Sequence, residues 1–202
     1  AEVEWVPNWG ESRIRGALGA RPDWCISRQR SWGLPIPAFY QPDGTSVLDP
    51  KIIRKVAVRA ETEGAGFWFS DSDEQLAKSC GVPADWKRGR ETMDVWLDSG
   101  SSWSAVAGDG RVKFPADLYL EGSDQHRGWF QSSLLLSVAL TAKPPFRTVL
   151  TNGFVVDLDG KKLSKSRGKP PGLMELVDKY GADVVRLWVA SADAKEDVRS
   201  EE

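Results

Sequence analysis

The sequence predicts an α/β chain, and three observations carry that prediction. A strand pattern at 117–121 ends in Gly122-Ser123-Asp124 and runs straight into an almost wholly apolar helix that reaches about Ala142. A second β-rich run, Thr148 to Val156, leads through the acidic turn Asp157-Leu158-Asp159-Gly160 into a strongly basic loop. A third apolar segment, Val184 to Ala190, reads as a buried helix. Strands alternating with helices suit an α/β sheet, where ligands bind beyond the carboxyl ends of strands and beside helix N-termini.

Composition narrows the classes of function. The chain has 202 residues, enough for one domain or a piece of a larger protein, and with 41% apolar residues and ten tryptophans it can bury a real core. Its 27 basic and 29 acidic residues leave a net charge of −2, so any nucleic-acid contact must be local. Cys25 and Cys80 lie far apart and His126 is the single histidine, which leaves no zinc cluster and favours two reduced thiols. No apolar run approaches the roughly 18 residues of a membrane span. The start, Ala1-Glu2-Val3-Glu4-Trp5, has no signal pattern and reads as a cut from inside a longer protein, and the charged run 196–202 reads as a second truncation.

In order along the chain, residues 1–24 read as a connection with one weak helix, on which Trp9, Ile14 and Leu18 share a face interrupted by glycines. Arg21 to Pro37 is dense in arginine, tryptophan and proline, a composition that favours packed, extended loop. Residues 43–46 form a turn. Pro50 opens an amphipathic helix that Gly64 closes, with Ile52, Ile53, Val56, Ala57 and Ala60 inward. Ser72 and Gln75 have capping-box spacing for a short helix ending near Gly81. Glu91 to Trp103 alternates at Val95 and Leu97 like a strand and ends in a turn of small residues.

The junction 117–130 is a centre of chemistry on local pattern, with Ser123 or Asp124 able to cap the helix that follows. An ordinary capped βα turn reads equally well there. His126, on the first turn of a buried helix, fits a structural hydrogen-bonder better than a catalyst, and no nucleophile-elbow motif supports a Ser-His-Asp or Cys-His centre. No Walker A pattern is present either. After the basic loop, Gly172 to Tyr180 reads as a short helix stopped by Gly181, and Asp183 as the cap of the next.

The basic loop, Gly160-Lys161-Lys162-Leu163-Ser164-Lys165-Ser166-Arg167-Gly168-Lys169, packs five cations and two hydroxyls into ten residues. On composition it fits a solvated basic loop or a nucleic-acid patch better than a grip on polyphosphate whose charge grows as a bond breaks. Its order settles more than its composition. Lys162-Leu163-Ser164-Lys165-Ser166 resembles the KMSKS signature of class I aminoacyl-tRNA synthetases. The strings 21–37, 91–103 and 117–130 resemble isoleucyl-tRNA synthetases in the same order, and Glu121, Gln125 and Trp129 are matched in the last of them.

That resemblance covers nearly the whole chain, from Glu4 to about Arg199. It implies the C-terminal half of the catalytic domain: the second half of a Rossmann-like parallel sheet with flanking helices and the start of a helical stem-contact region. Residues 1–24 would return from an editing insertion and 25–115 form a catalytic-domain segment of loops and short helices. Residues 116–170 would complete the nucleotide-binding fold, and 171–202 begin the stem-contact helices. The implied reaction activates isoleucine with ATP to the adenylate and transfers it to tRNA(Ile). Lys162, Ser164, Lys165 and Ser166 would hold the departing phosphates. Glu121, Gly122, Asp124, Gln125 and Asn152 would contact the nucleotide and the amino acid, and Trp96 and Trp129 would enclose the aliphatic side chain. Mg2+ would accompany ATP as substrate, with no zinc site, no membrane, a cytoplasmic location and a monomeric parent.

Several departures stand out. The family's HIGH element is absent, Asn152 replaces a histidine common before Gly-Phe, and Leu163 stands for methionine, a conservative packing change. The segment alone is therefore expected to be inactive. A valyl or leucyl synthetase, or a non-catalytic nucleotide- or RNA-binding module, is the competing assignment.

Overall fold

The computed structural model describes residues 2–108, 110, 112–157, 159–161 and 172–199. In chain order its elements are β1 (Glu4–Val6), α1 (Trp9–Gly19), β2 (Ser27–Arg28), β3 (Phe39–Tyr40), β4 (Ser46–Val47) and α2 (Pro50–Glu63). Next come α3 (Phe67–Ser70), α4 (Asp73–Cys80), β5 (Lys87–Arg88), β6 (Thr92–Met93) and α5 (Val95–Gly108). There follow β7 (Ala116–Gly122), a 3-10 turn at Ser123–Arg127, α6 (Trp129–Thr141), β8 (Phe146–Asn152) and β9 (Val155–Val156). The last are α7 (Leu173–Tyr180), α8 (Ala182–Ser191) and β10 (Val198–Arg199). The chain divides into two units, residues 1–22 with 100–202 and residues 23–99, the division falling within α5.

In the first unit, β1, β8 and β7 form a parallel sheet in that order. The expected α/β chain is what forms. The strand at 117–121 is β7, the apolar helix is α6, and the run at 148–156 is β8 and β9, split at Gly153-Phe154. Parallel neighbours need a crossover, and α6 supplies it. The core comprises Trp5, Ile14, Tyr119, Phe130, Phe146 and Val149, and full burial of such a side chain contributes about 1.5–3 kcal/mol. Residues 4–6, read from sequence within a connection, instead form β1 in register with Thr148, Val149 and Leu150 of β8. Three residues are too few to show a period-2 pattern, so only the pairing reveals the strand.

The apolar helices differ from expectation in what they bury. On α6 the buried residues are Phe130, Gln131, Ser132, Ser133 and Ser137, whereas Leu135, Val138 and Leu140 are exposed. Close packing against α5 explains the small residue at Ser132. A side chain on Gly100 of α5 would meet the Ser132 backbone carbon at 2.8 Å and Leu136 Cδ1 at 2.9 Å, so only small residues fit between the helices. α8 forms as a helix but buries none of its residues; Val184, Leu187 and Val189 are exposed. Asp183 lies in its first turn and Gly181 occupies the cap position, without a side-chain cap.

The second unit packs β3–β5 and α2–α4 around Phe39, Ile52, Val56, Phe67, Trp68, Leu76 and Cys80. Asp49 accepts the Lys51 N–H at 2.7 Å, Pro50 takes the first helical position of α2, and Gly64 closes the helix at φ 73°. The Ser72–Gln75 capping box forms in both directions and Gly81 ends α4 in the left-handed region. Trp68 is fully buried and donates its indole N–H to the Gly89 carbonyl at 2.8 Å.

The block 91–103 differs most from its sequence pattern. Only Thr92 and Met93 are strand; from Val95 the chain is helix α5, and Trp96 lies on its first turn. Asp94 explains the switch. Its Oδ1 accepts the Trp96 N–H at 3.1 Å and its carbonyl accepts the Leu97 N–H at 2.8 Å, which starts a helix where alternation suggested more strand.

Candidate functional site

The site grows from the aligned carboxyl ends of β7 and β8. Glu121 pairs with Thr151 and Gly122 with Asn152, so the two strands stop side by side. Beyond that edge lies the 3-10 turn Ser123–Arg127, which leads into α6. A strand edge beside a helix N-terminus offers unpaired backbone donors and a favourable field for an anion.

Gly122 has no room for a side chain. A Cβ there would lie 2.7 Å from the Phe154 ring and 3.0 Å from the Asp124 carboxylate, so the chain, the ring and the acid converge at one point. Glu121 is exposed and its Oε2 accepts the Gly122 N–H at 3.3 Å. Gln125 Oε1 accepts the Trp129 N–H at 2.9 Å. Gln125 thus caps α6, the role that sequence reading assigned to Ser123 or Asp124. Asn152 donates its side-chain amide to the Gly153 carbonyl at 2.7 Å, which turns the polar end along its own strand.

Trp129 lies flat on Tyr119, with ring centroids 4.0 Å apart and planes 10° apart, and donates its indole N–H to Ser102 Oγ at 3.2 Å. Burial pushes the Tyr119 phenol pKa up. Trp96 belongs to the other unit and is 40% exposed.

His126 supports the turn from below. It is fully buried among Trp5, Trp9 and Phe130, and its Nδ1 lies 3.0 Å from the Ser123 carbonyl oxygen. Burial holds its pKa below 6.5, so the ring is neutral and the Nδ1–H tautomer donates to Ser123. This is the structural hydrogen-bonder expected of it. Gly10 completes the cage, since a Cβ there would crowd Nε2 at 3.3 Å.

The turn ahead of the basic loop is ordered by Asp157, whose Oδ1 accepts the Lys161 N–H at 2.8 Å while Gly160 sits at φ 72°. Lys162, Ser164, Lys165 and Ser166, the residues assigned to phosphate contact, lie outside the described residues. The structure thus gathers Glu121, Gly122, Asp124, Gln125, Asn152 and Trp129 around one strand edge. Sequence reading missed Phe154 there, although the Gly153-Phe154 pair ending β8 was its signal. In the second unit, Gln29, Arg30, Tyr40, Arg90 and Glu91 line an open cleft of about 480 Å3. Among the described residues no cluster of His, Cys, Asp or Glu could hold a metal ion, and no helix is long and apolar enough to cross a membrane.

Comparison with known proteins settles the family. The family described as tRNA synthetases class I (I, L, M and V) matches residues 1–201. The chain belongs to that family. Among curated relatives, the isoleucine–tRNA ligase of Methylacidiphilum infernorum (isolate V4) is 58% identical over 198 residues, covering 97% of this chain and 22% of the relative. The isoleucine–tRNA ligases of Petrotoga mobilis and Kosmotoga olearia are 49% and 50% identical over 98% of this chain, again with 22% of each relative covered. The chain therefore spans about a fifth of the length of these ligases. A crystal structure of the ternary complex of Agrobacterium radiobacter K84 agnB2 LeuRS, tRNA and LeuAMS superposes with a TM-score of 0.59, covering 87% of this chain and 25% of that one. At 22% identity it supports the class I synthetase fold alone.

Proposed function

We propose that this chain is the C-terminal half of the catalytic domain of an isoleucine-activating synthetase, the part that closes on ATP from the ribose and phosphate side. The observation that carries the reading is the paired end of β7 and β8, where Gly122 and Asn152 stand in register beside Asp124 and Gln125. Identity of 49–58% to isoleucine–tRNA ligases over almost the entire chain supports isoleucine over valine or leucine.

Attack of a carboxylate on the α-phosphate of ATP needs positioning and charge stabilisation more than covalent help from the protein. Gly122 lets the backbone approach the ribose closely and Asp124 accepts from its hydroxyls. Glu121 faces the adenylate, and Gln125, held by its bond to the Trp129 N–H, turns toward the ammonium group of the amino acid. Lys162 and Lys165, with Ser164 and Ser166, hold the departing pyrophosphate, and Mg2+ arrives with ATP. Trp96 and Trp129 are the residues that the resemblance assigns to the aliphatic side chain. Transfer to tRNA(Ile) follows in the complete parent enzyme, read as a cytoplasmic monomer.

The test is ATP–pyrophosphate exchange by the complete parent. Lys165→Ala should slow exchange by about 10²–10³-fold with little change in isoleucine KM, because a loop lysine contacts charge mainly in the transition state. Exchange within twofold of wild type would remove Lys165 from the mechanism. Isoleucine should be preferred, with valine the main error, because one missing methylene is worth only about 1–3 kcal/mol in an apolar pocket. A preference for leucine or methionine would mean a different synthetase.

A further inference from the structure

We propose that Asp94 is a positioning residue for amino-acid selection, one that fixes the direction of Trp96 without touching the substrate; the proposal rests on the reading of Trp96 as a pocket wall. Asp94 is 5% exposed, and both of its carboxylate oxygens are engaged. Oδ1 accepts the Trp96 N–H at 3.1 Å at the start of α5. Oδ2 accepts the Trp24 indole N–H at 3.0 Å and the Arg28 guanidinium at 2.5 Å. The backbone joins in, with the Asp94 N–H donating to the Ile26 carbonyl at 2.7 Å and β2 pairing with β6 one residue upstream.

A buried carboxylate that loses a partner leaves a charge without compensation, so the clasp is closed or costly, with little between. Arg28 tightens it from the other side, since Nη1 also donates to the carbonyls of Cys25 at 2.6 Å and Ser27 at 2.8 Å. The first turn of α5 is thus tied to the segment 24–28 through one side chain. Trp96 is 40% exposed, so the backbone beneath it helps decide where its indole points. A loosened cap lets the first turn fray and the indole swing. A binding wall that moves by an ångström discriminates poorly between side chains that differ by one methylene.

The experiment uses the complete parent enzyme and reads the ratio of kcat/KM for isoleucine over valine in pyrophosphate exchange. Asp94→Ala should lower that ratio by roughly fivefold, within the range a lost helix cap produces, through a higher isoleucine KM with ATP KM unchanged. Asp94→Asn keeps an oxygen for the Trp96 N–H but sets an amide N–H against the Trp24 and Arg28 donors, so it should lower the ratio less than Asp94→Ala, by roughly twofold. A purely structural role would lower stability and total activity and leave the ratio alone. Trp96→Ala separates the two readings. If it shifts the ratio and Asp94→Ala does not, the positioning role is overturned and the pocket stands. If Trp96→Ala leaves the ratio unchanged, the pocket assignment fails and this proposal with it. Should Asp94→Ala not fold, Arg28→Gln loosens the clasp while leaving the cap atoms in place. It should lower the ratio by roughly twofold, and an unchanged ratio overturns the proposal.

Discussion

Gly153→Ala should unfasten the segment that flanks the candidate site. Gly153 links β8 to β9, and a Cβ there would lie 2.0 Å from the Glu196 carbonyl oxygen, 2.2 Å from its carbon and 2.6 Å from the Asp197 nitrogen. All three are backbone atoms, so no rotamer change relieves the overlap. Residues 196–197 would have to retreat by roughly 1.4 Å to reach ordinary contact. That displacement breaks three hydrogen bonds. They run from the Gly153 N–H to the Ala194 carbonyl at 2.9 Å, from the Phe154 N–H to Asp197 Oδ1 at 2.7 Å, and from the Val198 N–H to the Phe154 carbonyl at 2.9 Å. At about 1 ± 0.5 kcal/mol net for each bond, the local loss is about 1.5–4.5 kcal/mol. Amide exchange should then accelerate by roughly 10- to 2,000-fold at those positions. Hydrogen exchange by mass spectrometry on peptides covering 152–156 and 194–199 of the complete enzyme reads this directly. Gly16→Ala is the control. A side chain there meets nothing within 4 Å on α1, and the change should stabilise by about 0.5–1 kcal/mol. Protection at Phe154 and Val198 within threefold of wild type in Gly153→Ala would refute the reasoning, because backbone overlap of that size has no cheaper relief.

The imidazole of His126, the only histidine, should titrate below 6.5 in an NMR pH series. The sign follows from burial: with the folded pKa depressed, the unfolded chain binds more protons. The neutral ring's contribution to stability is therefore complete above about 6.5 and lost as pH falls. His126→Gln should flatten that part of the pH–stability curve, and an unshifted midpoint would contradict the buried cage. Arg88→Met should destabilise the chain by about 1–3 kcal/mol in urea unfolding. Arg88 is buried, its Nη1 donates to the Trp68 carbonyl, and its Nε pairs with Asp73 at 3.0 Å without hydrogen-bond alignment. What the substitution strands is the Trp68 carbonyl and the buried Oδ1 of Asp73; a change under about 0.5 kcal/mol would mean water reaches both.

What could be read from the sequence alone were features written in neighbouring residues. Pro50 and Gly64 bracket α2, Ser72 and Gln75 box α4, and the switch from strand to apolar helix marks β7 and α6, because caps, turns and periodicity are local. The order of motifs was equally legible, and with it the family. Tertiary structure decided what depends on partners far along the chain. Residues 4–6 become a strand only because β8 offers them a parallel edge. Asp94 turns an alternating stretch into helix α5 because Trp24 and Arg28 hold its carboxylate beside the Trp96 N–H. Ser132 on α6 sits where Gly100 lets α5 approach closely, which no count of apolar residues foresees. Asn152 meets Gly122 after the crossover 123–145, and that register, set by the ladder of β7 on β8, brings the two strand ends side by side.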